Sequence, residues 1–319
     1  MYLIDHDLSH YKYKICEFSI GIYYELLYYN VIVLMSDMRM RRLLALVLFT
    51  VWSTWGWAQG LVVSTHPIYL IAKEVTKGVE EPVLLLGNQS GHDVQLTPTQ
   101  RKEIQDASLI IWLGKAHEAP LDKLLHQNSQ AIALLDSGIL TILPQRDLHG
   151  EVLANTVDSH VWLEPNNAVR IAFFIAALRA QQYPEHKAQY LANAQQFSKQ
   201  MLQAKAQFKS STQPKLYWTY HDAYQYLEHS LNLHLAGTLT SDPHVAPTVT
   251  QIKYLRDHRP NKAVCLLAEA STNQSQYRNL QPVVFESVDE SLAGENNFIT
   301  AWKKLATKTQ ACVLNAQKY

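Results

Sequence analysis

Glu185-His-Lys-Ala-Gln-Tyr-Leu-Ala-Asn-Ala-Gln-Gln-Phe-Ser-Lys-Gln-Met-Leu-Gln-Ala-Lys-Ala-Gln-Phe-Lys209 is a run of 25 residues with no glycine or proline. Its Ala, Gln, Lys and Leu content favours helix, and at 1.5 Å per residue it would be about 37 Å long. A helix that long and that polar suits a spine between two lobes better than the centre of one core. Tyr183-Pro184 separates it from an earlier helical stretch starting at Pro165, in which Val169, Ile171, Phe174, Ile175 and Leu178 lie on one side.

On the N-terminal side of the spine, short apolar runs alternate with helix signals. Leu61–Ser64, Pro82–Leu86, Ser108–Leu113 and Ala131–Leu135 read as strands. Pro67 opens a helix to Lys77, and Thr97-Pro98 is an N-cap followed by a first-turn proline, opening a helix to Asp106. On the C-terminal side, Lys215–Tyr220, Ala263–Ala268 and Val283–Ser287 read as strands, with helices over Asp222–Ser230, Thr248–Asp257 and Glu295–Thr309. Strands alternating with helices imply parallel βαβ units. The expected fold class is therefore α/β, with an N-terminal lobe over 59–183, a linking helix over 184–212 and a C-terminal lobe over 213–319.

The 319 residues are 47% hydrophobic and 18% charged, enough apolar material for two cores and too much for bulk disorder. Lys and Arg together number 28, as do Asp and Glu, so no basic excess exists to hold nucleic acid. Met38-Arg-Met-Arg-Arg42, the apolar Leu43–Trp52 and the small residues of Gly56-Trp57-Ala58 make residues 38–58 a signal peptide cleaved before Gln59. The apolar run is too short to span a bilayer at about 20 residues. Residues 1–37 precede it and are read as an over-extended gene prediction; the alternative is a genuine extension with an apolar segment near 20–34. An exported chain would keep two cysteines, Cys265 and Cys312, and an oxidising compartment would pair them.

Histidine is abundant, with 14 copies, and imidazole is the commonest metal ligand. Ligands of open α/β sheets sit beyond the carboxyl ends of strands. His92 follows the second strand, His221 follows Lys215–Tyr220 and Asp289 follows Val283–Ser287, while His160 lies just before the helix at Pro165. Two come from each lobe, so a cleft between the lobes could gather all four around one ion. Three imidazoles favour Zn²⁺ over Mn²⁺, which prefers oxygen-rich shells. Spacings of 68, 61 and 68 residues form no local motif. His117, His126, His186, His229, His234, His244 and His258 are read as surface residues, and Trp162 as core or cleft wall.

Four segments carry a resemblance. They are His92-Asp93 with Leu96-x-Pro98, Ile111-Trp-Leu-Gly114 with Glu118, His160-Val-Trp-Leu-Glu-Pro165, and His221-Asp-Ala-Tyr224-x-Tyr226. They are similar to motifs of the cluster A-I family of bacterial metal receptors, and the Cys265–Cys312 pairing resembles that of its enterobacterial zinc receptors. The resemblance covers about residues 60–315. It implies two lobes with four-stranded sheets joined by a rigid helix. It further implies a periplasmic, monomeric, non-enzymatic protein that takes Zn²⁺ through His92, His160 and His221 and delivers it to an ABC-type permease in the inner membrane. The fourth ligand is Asp289 or water. Some members use a Glu beside the first His, where this chain has Gly91. The stretch 144–159 is short and holds only His149, where many relatives carry a long His-rich loop. Glu269, at a strand end, is a candidate to hydrogen-bond a ligand imidazole. Two alternatives stand beside this reading: a manganese or iron receptor or adhesin of the same fold, and a zinc-dependent hydrolase with an open three-His site.

Overall fold

The computed structural model describes residues 59–87, 94–208, 213–269 and 272–319. The expected extension, the signal peptide, Cys16 and the loop carrying His92 lie outside them. Among the described residues, no helix is long and apolar enough to cross a membrane.

The N-terminal lobe holds β1 (Gln59–Val63), β2 (Val83–Leu84), β3 (Ala107–Trp112) and β4 (Ala131–Ala133), in the order β2-β1-β3-β4, all parallel. Leu61, Val62, Val63, Ile110 and Ile111 are fully buried. Parallel strands covered on both faces read as continuous apolar runs, which is why they were visible in sequence. The helices α1 (His66–Thr76), α2 (Pro98–Asp106) and the short α3 (Asp122–Leu125) connect them. Thr97 caps α2 as expected: its hydroxyl accepts from Gln100 N while the Gln100 side chain accepts from Thr97 N.

Helix α4 (Pro165–Gln182) follows, then a 3-10 turn over Pro184–His186 and the spine α5 (Lys187–Ala206). The regular helix is 20 residues, about 30 Å, shorter than the 25-residue run because Glu185 and His186 wind in the tighter turn and the helix ends at Ala206. Tyr190, Ala194, Phe197, Met201 and Ala204 are its buried positions. Their spacing of four and three residues makes one narrow apolar seam on an otherwise polar helix.

The C-terminal lobe repeats the plan. It contains β5 (Lys215–Thr219), α6 (Gln225–Leu231), β6 (Leu233–Thr238), α7 (Val249–Asp257), β7 (Val264–Ala268), β8 (Val283–Ser287) and α8 (Phe298–Ala316). The order is β6-β5-β7-β8, again all parallel. Strand β6 was not among the expected strands. It lies at the sheet edge, alternates buried Leu233 and Leu235 with exposed His234, and contains Gly237. That glycine has φ +144°, and a Cβ there would meet the Leu255 side chain at 2.5 Å. The expected disulfide joins Cys265 on β7 to Cys312 on α8, with Cα atoms 5.4 Å apart.

The segment between β4 and His160 crosses to the C-terminal lobe as a small hairpin, closed by an antiparallel bridge between Arg146 and Val152. Leu148 O accepts from Thr238 N at 2.9 Å and from Gln251 Nε2 at 3.1 Å, and the His149 ring stacks on Tyr254. Arg146 is bidentate to Asp222 at 2.7 and 2.8 Å and also meets Glu228 at 2.8 Å. The Tyr226 hydroxyl donates to Asp158 O at 2.8 Å and accepts from Leu143 N at 2.9 Å, so it holds both arms of this strap.

Candidate metal centre

The carboxyl edges of both sheets face one cleft of about 550 Å³, lined by His117, His160, Trp162, His221, Glu269 and Glu290 among others. Within it, ligand atoms of His160, His221 and Glu290 all lie within 4.8 Å of one another. The His160 and His221 ring centres are 5.9 Å apart, and His221 Nε2 lies 3.5 Å from Glu290 Oε1. Two imidazoles sharing one tetrahedral Zn²⁺ at 2.0–2.1 Å have ring centres about 5 Å apart, so a small inward movement would let both touch one ion.

Each side chain has a local cause. His160 sits where the strap turns into the short 3-10 helix Val161–Leu163, and Asp158 fixes it twice. One Asp158 oxygen lies 2.8 Å from His160 Nδ1 and accepts from His160 N at 3.0 Å. With Nδ1 committed to that carboxylate, Nε2 is the nitrogen left for a metal. His221 lies two residues beyond β5, and its carbonyl accepts from Thr219 Oγ1 at 2.7 Å and from Ala223 N at 3.0 Å. Glu290 follows β8, and its carbonyl accepts the Trp162 indole N–H at 2.7 Å, a tie between the two lobes. Trp162, expected in the core or the cleft wall, is thus part of the wall.

The electrostatics of the three groups are coupled. Burial pushes the Glu290 carboxyl up to about 7; Glu269 and Asp289 add to that, and His160 opposes it. Burial works against charge on His160, but the hydrogen bond and charge of Asp158, with Glu290 and Asp222 beyond, raise its pKa above the ordinary histidine value. Paired carboxylate and imidazole groups shifted toward each other near neutrality are common at functional sites.

The carboxylates near the cleft take different positions. Asp289 is exposed and faces its own turn, accepting from Ser291 N at 2.8 Å, Ser291 Oγ at 2.6 Å and Ala293 N at 3.2 Å. The carboxylate brought to the imidazoles is the next residue, Glu290. Glu269 follows β7 and lines the cleft, and Asp158 holds the second nitrogen of His160. His92 lies outside the described residues. His117, read as a surface residue, is 8% exposed and belongs to the cleft, with Nδ1 2.9 Å from Ser159 Oγ and its ring 5.4 Å from Trp162. Its burial comes from packing against the His160 segment, which no local pattern announces.

Two α/β lobes with parallel sheets, a helical spine and imidazole and carboxylate groups in the cleft define a two-lobed receptor with a divalent-cation donor set. Residues 61–312 match the family described as ZnuA, zinc-uptake complex component A, periplasmic. The chain belongs to that family, one of substrate-binding components of zinc-uptake systems rather than of enzymes. It is 30% identical to the high-affinity zinc uptake system protein ZnuA of Brucella abortus over 258 residues, covering 67% of this chain and 77% of that one. The Yersinia pestis protein of the same name is 30% identical over 237 residues, covering 66% and 74%. Among solved structures, Zn(II)-bound AdcA from Streptococcus pneumoniae superposes with a TM-score of 0.64 at 21% identity. That match covers 80% of this chain and 57% of the longer AdcA chain, and it concerns the fold.

Proposed function

We propose that this protein captures Zn²⁺ in the periplasm through His160, His221 and Glu290, with His92 completing a tetrahedral set, and delivers it as a monomer to an ABC-type permease. The carrying observation is the convergence of two imidazoles and a carboxylate from separate segments within 4.8 Å of one another. Nitrogen donors with one oxygen suit Zn²⁺ and rank Mn²⁺ low. The relatives' names, all of zinc-uptake proteins, support the same metal.

The site works by stoichiometric capture. Asp158 keeps the His160 tautomer that presents Nε2, Trp162 holds the Glu290 backbone across the cleft, and Arg146 steadies the His221 turn through Asp222. A metal needs neutral imidazoles and an ionised carboxylate, so capture expels protons. A cleavable leader before Gln59 accounts for export.

The test is elemental analysis and metal competition on the purified protein and on His221→Ala. One Zn²⁺ per chain is expected, held in preference to Mn²⁺ and lost in the variant while the fold persists. Near-wild-type zinc affinity in folded His221→Ala would refute the site.

A further inference from the structure

His117 is a buried imidazole of the cleft that lies outside the group of His160, His221 and Glu290. It stands in the turn after β3, on the N-terminal lobe, at the sheet edge where ligands of this fold class bind. Glu118 fastens that turn, its Oε2 accepting from Leu113 N at 2.7 Å and Gly114 N at 3.4 Å. The His117 ring centre is 5.9 Å from that of His160, the same separation that His160 has from His221. Yet His117 does not join the set whose ligand atoms lie within 4.8 Å of one another. It is near enough to share an ion with His160, and it stands outside the group formed by His160, His221 and Glu290.

We propose that His117 is a transfer ligand: it and His160 together hold Zn²⁺ in passing, before the ion settles between His160, His221 and Glu290 and again as it leaves. This rests on the zinc reading above. Two features fit the role. Ser159 Oγ, 2.9 Å from His117 Nδ1, adjoins His160 in sequence, so the orientations of the two rings are tied to one peptide. An ion moving from the His117–His160 pair to the final site also keeps one Zn–N bond throughout, with His160 as pivot. Ligand exchange that never strips the ion of all protein donors has a lower barrier than release into water followed by recapture.

A group that touches cargo only in passing changes rates and leaves the equilibrium alone. This gives a signature that a structural role lacks. Zinc association by stopped flow and EDTA-driven dissociation are measured on the purified protein, His117→Asn and His117→Leu, with near-UV circular dichroism to confirm the fold. Asn keeps a partner for Ser159; Leu keeps bulk against Trp162. In both variants, association and dissociation are expected to slow together by about tenfold, with Kd within about twofold of wild type. Rates within twofold of wild type in both variants would overturn the proposal. So would a hundredfold weaker Kd, which would make His117 a permanent ligand. His221→Ala, run alongside, keeps the two ideas apart: if it retains affinity, the zinc site itself falls, whatever His117 does.

Discussion

Replacing Asp158 with Asn tests whether the capture site is built through its supporting carboxylate. The change keeps shape and removes one charge. Asp158 is 3% exposed, and its Oδ1 lies 2.8 Å from His160 Nδ1. An ion on Nε2 would be about 7 Å from that oxygen, adding a Zn–N bond and the ring's width to the hydrogen bond. At an effective dielectric of 20, a dication and a carboxylate at that range attract by about 5 kcal/mol. That figure is a ceiling, because in the metal-free protein Asp158 also stabilises protonated His160, the competitor of zinc. Loss of such a partner costs about 10–100-fold in metal affinity, or about 1.4–2.8 kcal/mol, and that is the expected loss at pH 8. The deficit should narrow at pH 6. There the wild type must expel a proton that Asp158 favours, and the variant is spared that cost. Competition against a chromophoric chelator at both pH values measures the effect. An affinity within about twofold of wild type at pH 8, in a folded variant, would refute the second-nitrogen argument.

The adjacent carboxylates after β8 separate cleanly: Glu290→Gln should weaken zinc at least as much as Asp158→Asn. Asp289→Asn, at an exposed turn, should stay within about twofold; equal effects in a competition titration would mean that the wrong residue has been chosen. Acidification from pH 8 to 6 should weaken binding. Glu290, near 7, and His160, raised above its usual value, both gain protons on the way down that zinc must displace; calorimetry in buffers of different ionisation heat would count the protons released. Breaking the disulfide with Cys312→Ser reopens a loop of 47 residues and should cost about 4 kcal/mol of stability. Denaturant titration measures that, with zinc affinity little changed below the transition.

The sheets were legible because buried parallel strands are nearly all apolar, as in Leu61–Val63 and Val264–Ala268. The spine was legible because a long proline-free polar run has few other uses. Strand β6 was hidden by its edge position, by exposed His234 and by Gly237, which a close neighbour demands. In the candidate site, His160 and His221 were singled out from their places at element ends, and Asp289 was named where the structure brings Glu290 to the imidazoles. Both carboxylates follow the same strand, and the deciding contact, Trp162 to the Glu290 carbonyl, links residues 128 positions apart. A local clue did exist: Ser291, two residues beyond Asp289, is the pattern of an Asx turn, which engages that aspartate with its own backbone. His117 had no such clue.

The strap limits how far the lobes can part. Thr141 is pinned to α4 by Asn167, whose amide donates to Thr141 O and accepts from Thr141 N at 2.8 and 2.9 Å. Only two residues later, Leu143 is pinned to Tyr226 on α6. Two residues of extended chain reach about 7 Å, so the jaws of this molecule are tethered on a leash that short. Separating the lobes at this point by more than that length would have to break those bonds first. While they hold, the lobes can swing about this point but cannot draw apart at it.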